Sequence, residues 1–407
     1  MTSMLFKLGV IFCLALININ VNASSSNVNA RGAMVRYFNV SAAGAHLNIN
    51  TTVKHHDYSA AGIRIITPGY SLVQPGAGCT LAANGYCLFP VSHTSPADIK
   101  ISGPSGNVQF SLCQYGEGEP LNCKLYSAKL SSFSYVANYG NNTVSLCTLT
   151  SNSGELNCPG TTGSGFNGAT AVAVNLATTF AYVANFDGDS VSLCNITQNT
   201  GELTCSGTTG SGFVGPSAIT INPAGTFAYI SNYNNGTVSV CAVSSSTGAL
   251  SGCTTTGGAF VFPEYIAINP QNTLAYVANG SSVTLCQIDS GTGSLNNCAP
   301  TGGFIQAPFG ISLNPDGSFA YVSDYFNSTV YLCSVSQSTG ALTCPGTTGS
   351  GFTGPGGIRV NPQGTLAYVS NYDNSTISLC NILSSTGELV CPGTTGSGFS
   401  NPSALAY

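Results

Sequence analysis

Sixteen of the seventeen cysteines fall into close pairs, and the first member of each later pair returns at a nearly fixed step. Cys147, Cys194, Cys241, Cys286, Cys333 and Cys380 follow one another at 47, 47, 45, 47 and 47 residues. A period in this range, in sequence rich in strand signals, marks the blades of a β-propeller, because one such unit cannot bury its apolar face alone. Residues 216–253 show what a period contains. Strand a covers Ala218–Ile221, strand b Phe227–Ser231, strand c Thr237–Val243, and strand d runs from Ala249 towards Cys253. Turn chemistry separates them, with Pro223 and Gly225, then Asn234 to Gly236, then Thr247 and Gly248. The alternation and the β-branched content favour strands throughout, and no segment carries a helical period.

The fold class expected is all-β, a seven-bladed propeller of ~47-residue repeats, preceded by a small β-sandwich. Six units carry strand b. Residues 107–123 read as strands c and d of a further blade, and residues 401–407 as a lone strand a. Joining them gives a seventh, composite blade, whose strand b is missing or supplied by Ala97–Ser102. A six-bladed ring with spare strands is the alternative. Three segments result: residues 1–23, 30–103 and 107–407.

Residues 1–23 read as a signal peptide. Lys7 supplies the positive end, Leu8–Ile17 the apolar stretch, and Val21 to Ala23 the cleavage positions. The apolar stretch is too short to span a bilayer. Export permits disulfides, and the even count of cysteines beyond Cys13 pairs by proximity. The pairs are Cys79/Cys87, Cys113/Cys123, Cys147/Cys158, Cys194/Cys205, Cys241/Cys253, Cys286/Cys298, Cys333/Cys344 and Cys380/Cys391. Metal ligation is the competing use, but none of them has Cys-x-x-Cys spacing, so no metal site is expected. A secreted, periplasmic or cell-surface protein follows.

Composition excludes one class of partner. Only 6% of residues are charged, and the net charge is −5 with nine Lys plus Arg. A nucleic-acid binder needs clustered cations to displace counterions, and no cluster exists. No later stretch is apolar enough for a membrane helix. The partner expected is a protein or a small molecule, with no cofactor, and the chain is expected to be a monomer.

Strand b reads Tyr-Val-Ala-Asn at 135–138, 182–185 and 276–279, Tyr-Ile-Ser-Asn at 229–232, Tyr-Val-Ser-Asp at 321–324 and Tyr-Val-Ser-Asn at 368–371. With the Thr-Gly-Glu/Ala-Leu hairpin that follows, this resembles the YVTN-type repeats, including the lactonase-like propeller family, over residues 107–407. Residues 79–87, bracketed by cysteines around Asn84-Gly85, resemble a hairpin of bacterial immunoglobulin-like modules. The lactonase resemblance implies a hydrolase whose His, Glu and Arg line the channel.

In a symmetric ring, function is sought where symmetry breaks. At one position of strand a the six units read Thr170, Ser217, Glu264, Phe309, Gly356 and Ser403. The next reads Ala171, Ala218, Tyr265, Gly310, Gly357 and Ala404. Two positions further on, Arg359 is the only arginine of the repeat region. Glu264, Tyr265, Phe309 and Arg359 are therefore the candidate ligand-binding residues, with Glu264 and Arg359 the candidate catalytic pair. Phe166, Phe213, Phe352 and Phe399, from the d–a loops, would wall or plug the channel mouth. All four histidines, His46, His55, His56 and His93, precede the repeats, so the residues favour a binding scaffold over the implied hydrolase. A structural surface protein is the third reading. Asp187 and Asp189 offer too few carboxylates for a calcium shell. The sequons at Asn141, Asn235, Asn327 and Asn374 coincide with turns.

Overall fold

The computed structural model describes strands between Phe38 and Leu130, and then Phe133 to Ala406 apart from residues 151–152, 176, 198–199 and 259. From Phe133 the chain forms six four-stranded antiparallel sheets, arranged as the blades of a propeller. We number them I to VI and letter their strands a to d from the axis outward. Blade II is Ala169–Val174, Phe180–Asn185, Ser190–Ile196 and Leu203–Thr208. Blades III to VI repeat it, with strand a at Pro216–Ile221, Pro263–Ile268, Pro308–Leu313 and Pro355–Val360.

Blade I is composite. Its strands b, c and d are Phe133–Asn138, Thr143–Leu149 and Leu156–Thr162, and its strand a is Pro402–Ala406 from the far end of the repeats. Val136 pairs with Leu405 and Ala137 with Ala404. The ring therefore closes at six blades, the alternative with spare strands, in place of the count of seven. The physical reason lies in residues 106–130. Gly106–Gly116 and Glu119–Leu130 pair with each other and extend a sheet through Ala60–Ile65, so they supply no blade. Ala97–Ser102 likewise pairs with His46–Thr51 and Ser71–Val73. The expected signal peptide and the Asn84-Gly85 turn lie outside the described residues.

Neighbouring blades are fastened by three repeating devices. The strand-b tyrosines are essentially fully buried, and each phenol donates to a glycine carbonyl in the c–d turn of the next blade. Tyr135 reaches Gly201 at 2.6 Å and Tyr229 reaches Gly293 at 2.8 Å. Tyr368 closes the circle on Gly154. A strand-d threonine accepts the amide of a leucine in the next blade, as from Leu203 to Thr162 at 2.6 Å and from Leu156 to Thr395 at 2.6 Å. Such buried bonds contribute about 1 kcal/mol each, and more is lost when one partner is left unpaired. Finally, Phe166, Phe213, Phe352 and Phe399 are buried between blades. Phe166 and Phe213 pack against the same glycines that face Cys205 and Cys253 of the next blade. They are wedges in the wall of the ring and do not plug its mouth.

All six expected disulfides of the ring form, Cys147–Cys158, Cys194–Cys205, Cys241–Cys253, Cys286–Cys298, Cys333–Cys344 and Cys380–Cys391. Each joins strands c and d within one blade and secures the outer edge. The two expected pairs that precede the ring, Cys79/Cys87 and Cys113/Cys123, each include a residue whose side chain lies outside the described ones. Cys87 opens the strand Cys87–Pro90, opposite Leu81 on one side and Ile63 on the other. Cys79 itself lies outside the described residues. Cys113 is disulfide-bonded. Cys123 sits on the paired strand Glu119–Leu130, across the register shift between Leu112 and Gln114, and its side chain lies outside the described residues. The density of disulfides in the ring belongs to an oxidising compartment, extracellular or periplasmic. Among the described residues no helix is long and apolar enough to cross a membrane.

Candidate aromatic mouth of the channel

Strand a lines the axial channel, so residues early in strand a stand near the face that carries the b–c turns and d–a loops. The residue that begins each b–c turn follows an Asn or Asp, buried in every blade but the fourth, where Asn279 is half-buried. The Asn or Asp side chain accepts from the d–a loop and ties the two together, as Asn138 does for the Ser400 amide and Asn232 for the Val214 amide. The tied turns hold aromatic rings side by side around the mouth. Tyr139 lies 6.3 Å from Phe186 and 6.3 Å from Tyr372, Phe186 lies 5.9 Å from Tyr233, and Tyr325 lies 6.2 Å from Tyr372, centroid to centroid.

Blade IV departs from this pattern. Its b–c turn runs from Asn279 to Ser282, against Asn232 to Thr237 in blade III, and Gly280 stands where the aromatic should be. The two missing residues account for the single 45-residue step. The place is taken by Phe262, from the d–a loop, whose ring lies 5.0 Å from Tyr233. On the far side of the gap Phe309 lies 6.1 Å from Tyr325.

Phe262 reaches this position at a conformational cost. Its φ is +49°, in the left-handed region. The residues before strand a in blades II, III and VI are Gly168, Gly215 and Gly354, and in blade I Asn401, all with positive φ. These are the residue types that tolerate this backbone; a bulky side chain there is an outlier costing about 1–2 kcal/mol. Phe262 is moreover 55% exposed. Neither its backbone nor its burial explains a phenylalanine.

Glu264 follows two residues later. In blades I, II and III the equivalent hydroxyl donates to the next blade's inner carbonyl. Ser403 reaches Thr170 O at 2.5 Å, Thr170 reaches Pro216 O at 2.9 Å and Ser217 reaches Pro263 O at 2.7 Å. In blades V and VI strand b makes the link instead, Ser323 to Gly356 O at 2.5 Å and Ser370 to Ser403 O at 3.2 Å. Blade IV offers Glu264 and, on strand b, Ala278, so the junction of blades IV and V lacks this link. Burial raises the Glu264 carboxyl to about 8 with no compensating charge partner. Its charge in turn helps raise the Tyr233 phenol, after burial.

Tyr265 is buried at 6% exposure, and its layer is otherwise Ala171, Ala218, Gly310, Gly357 and Ala404. It is the one large side chain at that depth. Gly310 and Gly357 let strands a of blades V and VI approach closely: a Cβ on Gly310 would stand 2.7 Å from the Gly356 carbonyl oxygen. Arg359, in blade VI, lowers the Tyr265 phenol against the larger effect of burial. Strand a of blade V stands between strands a of blades IV and VI, and all three line the channel. Tyr265 thus forms a floor beneath the mouth.

Three of the four residues expected to form the site, Glu264, Tyr265 and Phe309, are brought to this mouth. Arg359 is not beside Glu264. The two occupy the fifth and second positions of their strands, and Arg359 lies exposed on the other side of the floor. Phe262 escaped the sequence reading because it precedes the compared positions, although the 45-residue step pointed to its blade. Asp189 accepts the Gly215 amide at 2.6 Å, serving the turn as Asn142 does for Gly168.

A family model described as lactonase, seven-bladed beta-propeller, matches residues 204–301 and 266–396. Over residues 204–396 the ring is therefore similar to the lactonase propellers. It differs from that description in closing with six blades. Among solved structures, a protein from Lactobacillus plantarum is 15% identical, with a TM-score of 0.52, covering 68% of this chain and 99% of its own. A candidate 6-phosphogluconolactonase from Bacteroides uniformis is 17% identical, with a TM-score of 0.51, covering 86% and 99%. A chain of a nidogen/laminin complex is 12% identical, with a TM-score of 0.52, covering 67% and 97%. These likenesses concern the fold. No curated protein matches the chain. The ring holds ten Asp or Glu from Phe133 onward, one Arg and no Lys or His, so its mouth carries no cation.

Proposed function

We propose that this protein is an extracellular or periplasmic binding propeller, and that its ligand enters the aromatic mouth above Tyr265. The observation that carries this reading is the cluster of departures from the repeat at the junction of blades IV and V. A shortened turn, a strained and exposed Phe262 and a half-buried Glu264 without a charge partner all weaken the ring at one place, and all face one opening. Strain of this kind gathers at functional sites, and apolar clefts with a few polar groups are the usual form of ligand sites.

A second reading is a lactonase-like hydrolase. It is favoured by the Glu264 carboxyl, whose value of about 8 suits a general base near neutral pH. It is disfavoured by Arg359, the group that would stabilise an oxyanion, standing beyond the floor. The test is a thermal-shift screen of the unreduced protein with lactones, sugars and amines, run beside a lactone hydrolysis assay. Ligand binding raises the melting temperature by mass action. Stabilisation without turnover is expected; turnover abolished by Glu264→Gln would instead establish the hydrolase.

A further inference from the structure

We infer that the aromatic mouth selects an organic cation, an alkylammonium head held against Tyr233 and Phe262 over the Glu264 carboxyl. This rests on the binding reading and names the chemical class that the mouth takes. The faces of aromatic rings carry negative quadrupole potential and attract ammonium groups by about 0.5–2 kcal/mol per contact. Here that potential is reinforced on every side. Tyr139 donates to Asp187 at 3.4 Å and Tyr325 donates to Asp373 at 2.7 Å. Two phenol protons are thereby directed at carboxylates.

The charges around the opening are all of one sign, and the ring's single cation lies below Tyr265. An anionic ligand, including any phosphorylated sugar, would meet carboxylates with nothing to pair it. A neutral sugar needs donors as well as acceptors for its hydroxyls, and the charged groups here only accept when ionised. An alkylammonium head meets each requirement: its methyl groups cover the rings, its charge offsets the carboxylates of Asp187 and Asp373, and its approach favours release of the Glu264 proton to solvent, giving that carboxyl the charged partner it lacks inside the protein. The strain at Phe262 then has a use, since it sets a second ring 5.0 Å from Tyr233 in the one blade whose turn provides none.

The test uses the full chain, unreduced, and isothermal titration with choline, with its neutral isostere 3,3-dimethyl-1-butanol, and with glucose. Choline is expected to bind at least about tenfold more tightly than the isostere, a difference within the range of one or two cation–π contacts. Phe262→Gly should weaken choline about tenfold, and Glu264→Gln should narrow the preference over the isostere. Circular dichroism and the melting temperature establish that both variants fold. Equal binding of choline and the isostere overturns the cation. Glucose binding that Phe262→Gly abolishes also overturns it, while leaving the binding function intact. Absence of binding by every probe here, and by every compound of the wider screen, overturns both.

Discussion

If Phe262 is held in a strained conformation for the sake of the mouth, its replacement by glycine should be unusually mild. At 55% exposed, a side chain of about 200 Å² leaves about 90 Å² removed from water, worth about 2 kcal/mol at 25 cal/mol per Å². Glycine forfeits that and about 0.5–1 kcal/mol more through the freedom it gives the unfolded chain. Against these losses it relieves about 1–2 kcal/mol of left-handed strain. The net cost is about 1 kcal/mol, a shift of a few degrees in Tm for a domain of this size. The informative comparison is with Phe262→Ala. Alanine loses nearly the same contacts but keeps a Cβ at φ +49°, so it should be less stable than glycine by about 0.5–1 kcal/mol, net of its unfolded-state advantage. At an ordinary loop position the order is the reverse. Urea unfolding of the three unreduced proteins, followed by circular dichroism and compared at a common m-value, measures the differences. Alanine equal to or better than glycine would refute the strain argument. A glycine variant losing more than about 3 kcal/mol would show Phe262 to be core, like the buried Phe213, where truncation should cost about 3–5 kcal/mol.

Glu264 should make stability depend on pH. Its carboxyl stands near 8 when folded against an ordinary 4.5, so the folded state binds the extra proton. Stability is fully present below the unfolded value and falls as pH rises through the window up to 8, with an upper limit of about 1.4 kcal/mol per unit, reduced by water at the mouth. Denaturation of wild type and Glu264→Gln from about pH 4.5 to about 8.5 should show the slope in the first alone. Tyr229→Phe strands the Gly293 carbonyl and should cost about 1–3 kcal/mol, seen as a lower urea midpoint; no change would remove the phenol from the inter-blade fastening. Opening one blade staple with Cys241→Ser and Cys253→Ser should cost about 2–3 kcal/mol in the chain-entropy model, measured the same way. Deleting residues 402–407 removes strand a of blade I and should abolish cooperative thermal unfolding of the ring.

Much of the ring was legible because each blade repeats a local code. Cysteine spacing gave the period, turn residues gave the four strands, and proximity gave the ring disulfides now formed. Blade number was not legible, because it depends on which distant strands pair. Residues 107–123 alternate and carry two cysteines as a blade hairpin does, and only their register with Ala60–Ile65 removes them from the ring. The d–a phenylalanines were misread for a related reason. Their pattern marks them as repeated but does not say whether they face the axis or the next blade. Glu264, Tyr265 and Phe309 were found as departures from the repeat. Their separation from Arg359 follows from depth along strand a, which a comparison of equivalent positions flattens.

The composite blade imposes an order of events on biogenesis. Each ring disulfide spans 11 or 12 residues, so every hairpin can be oxidised soon after it leaves a translocation pore. The circle cannot close until Pro402–Ala406 arrives to complete the sheet begun at Phe133. Until then the inner edge of the first blade waits unpaired, and the sixth blade has no neighbour for Tyr368. Quality control of this protein therefore acts on one late step, and a chain interrupted anywhere before it would present a row of oxidised but unjoined blades.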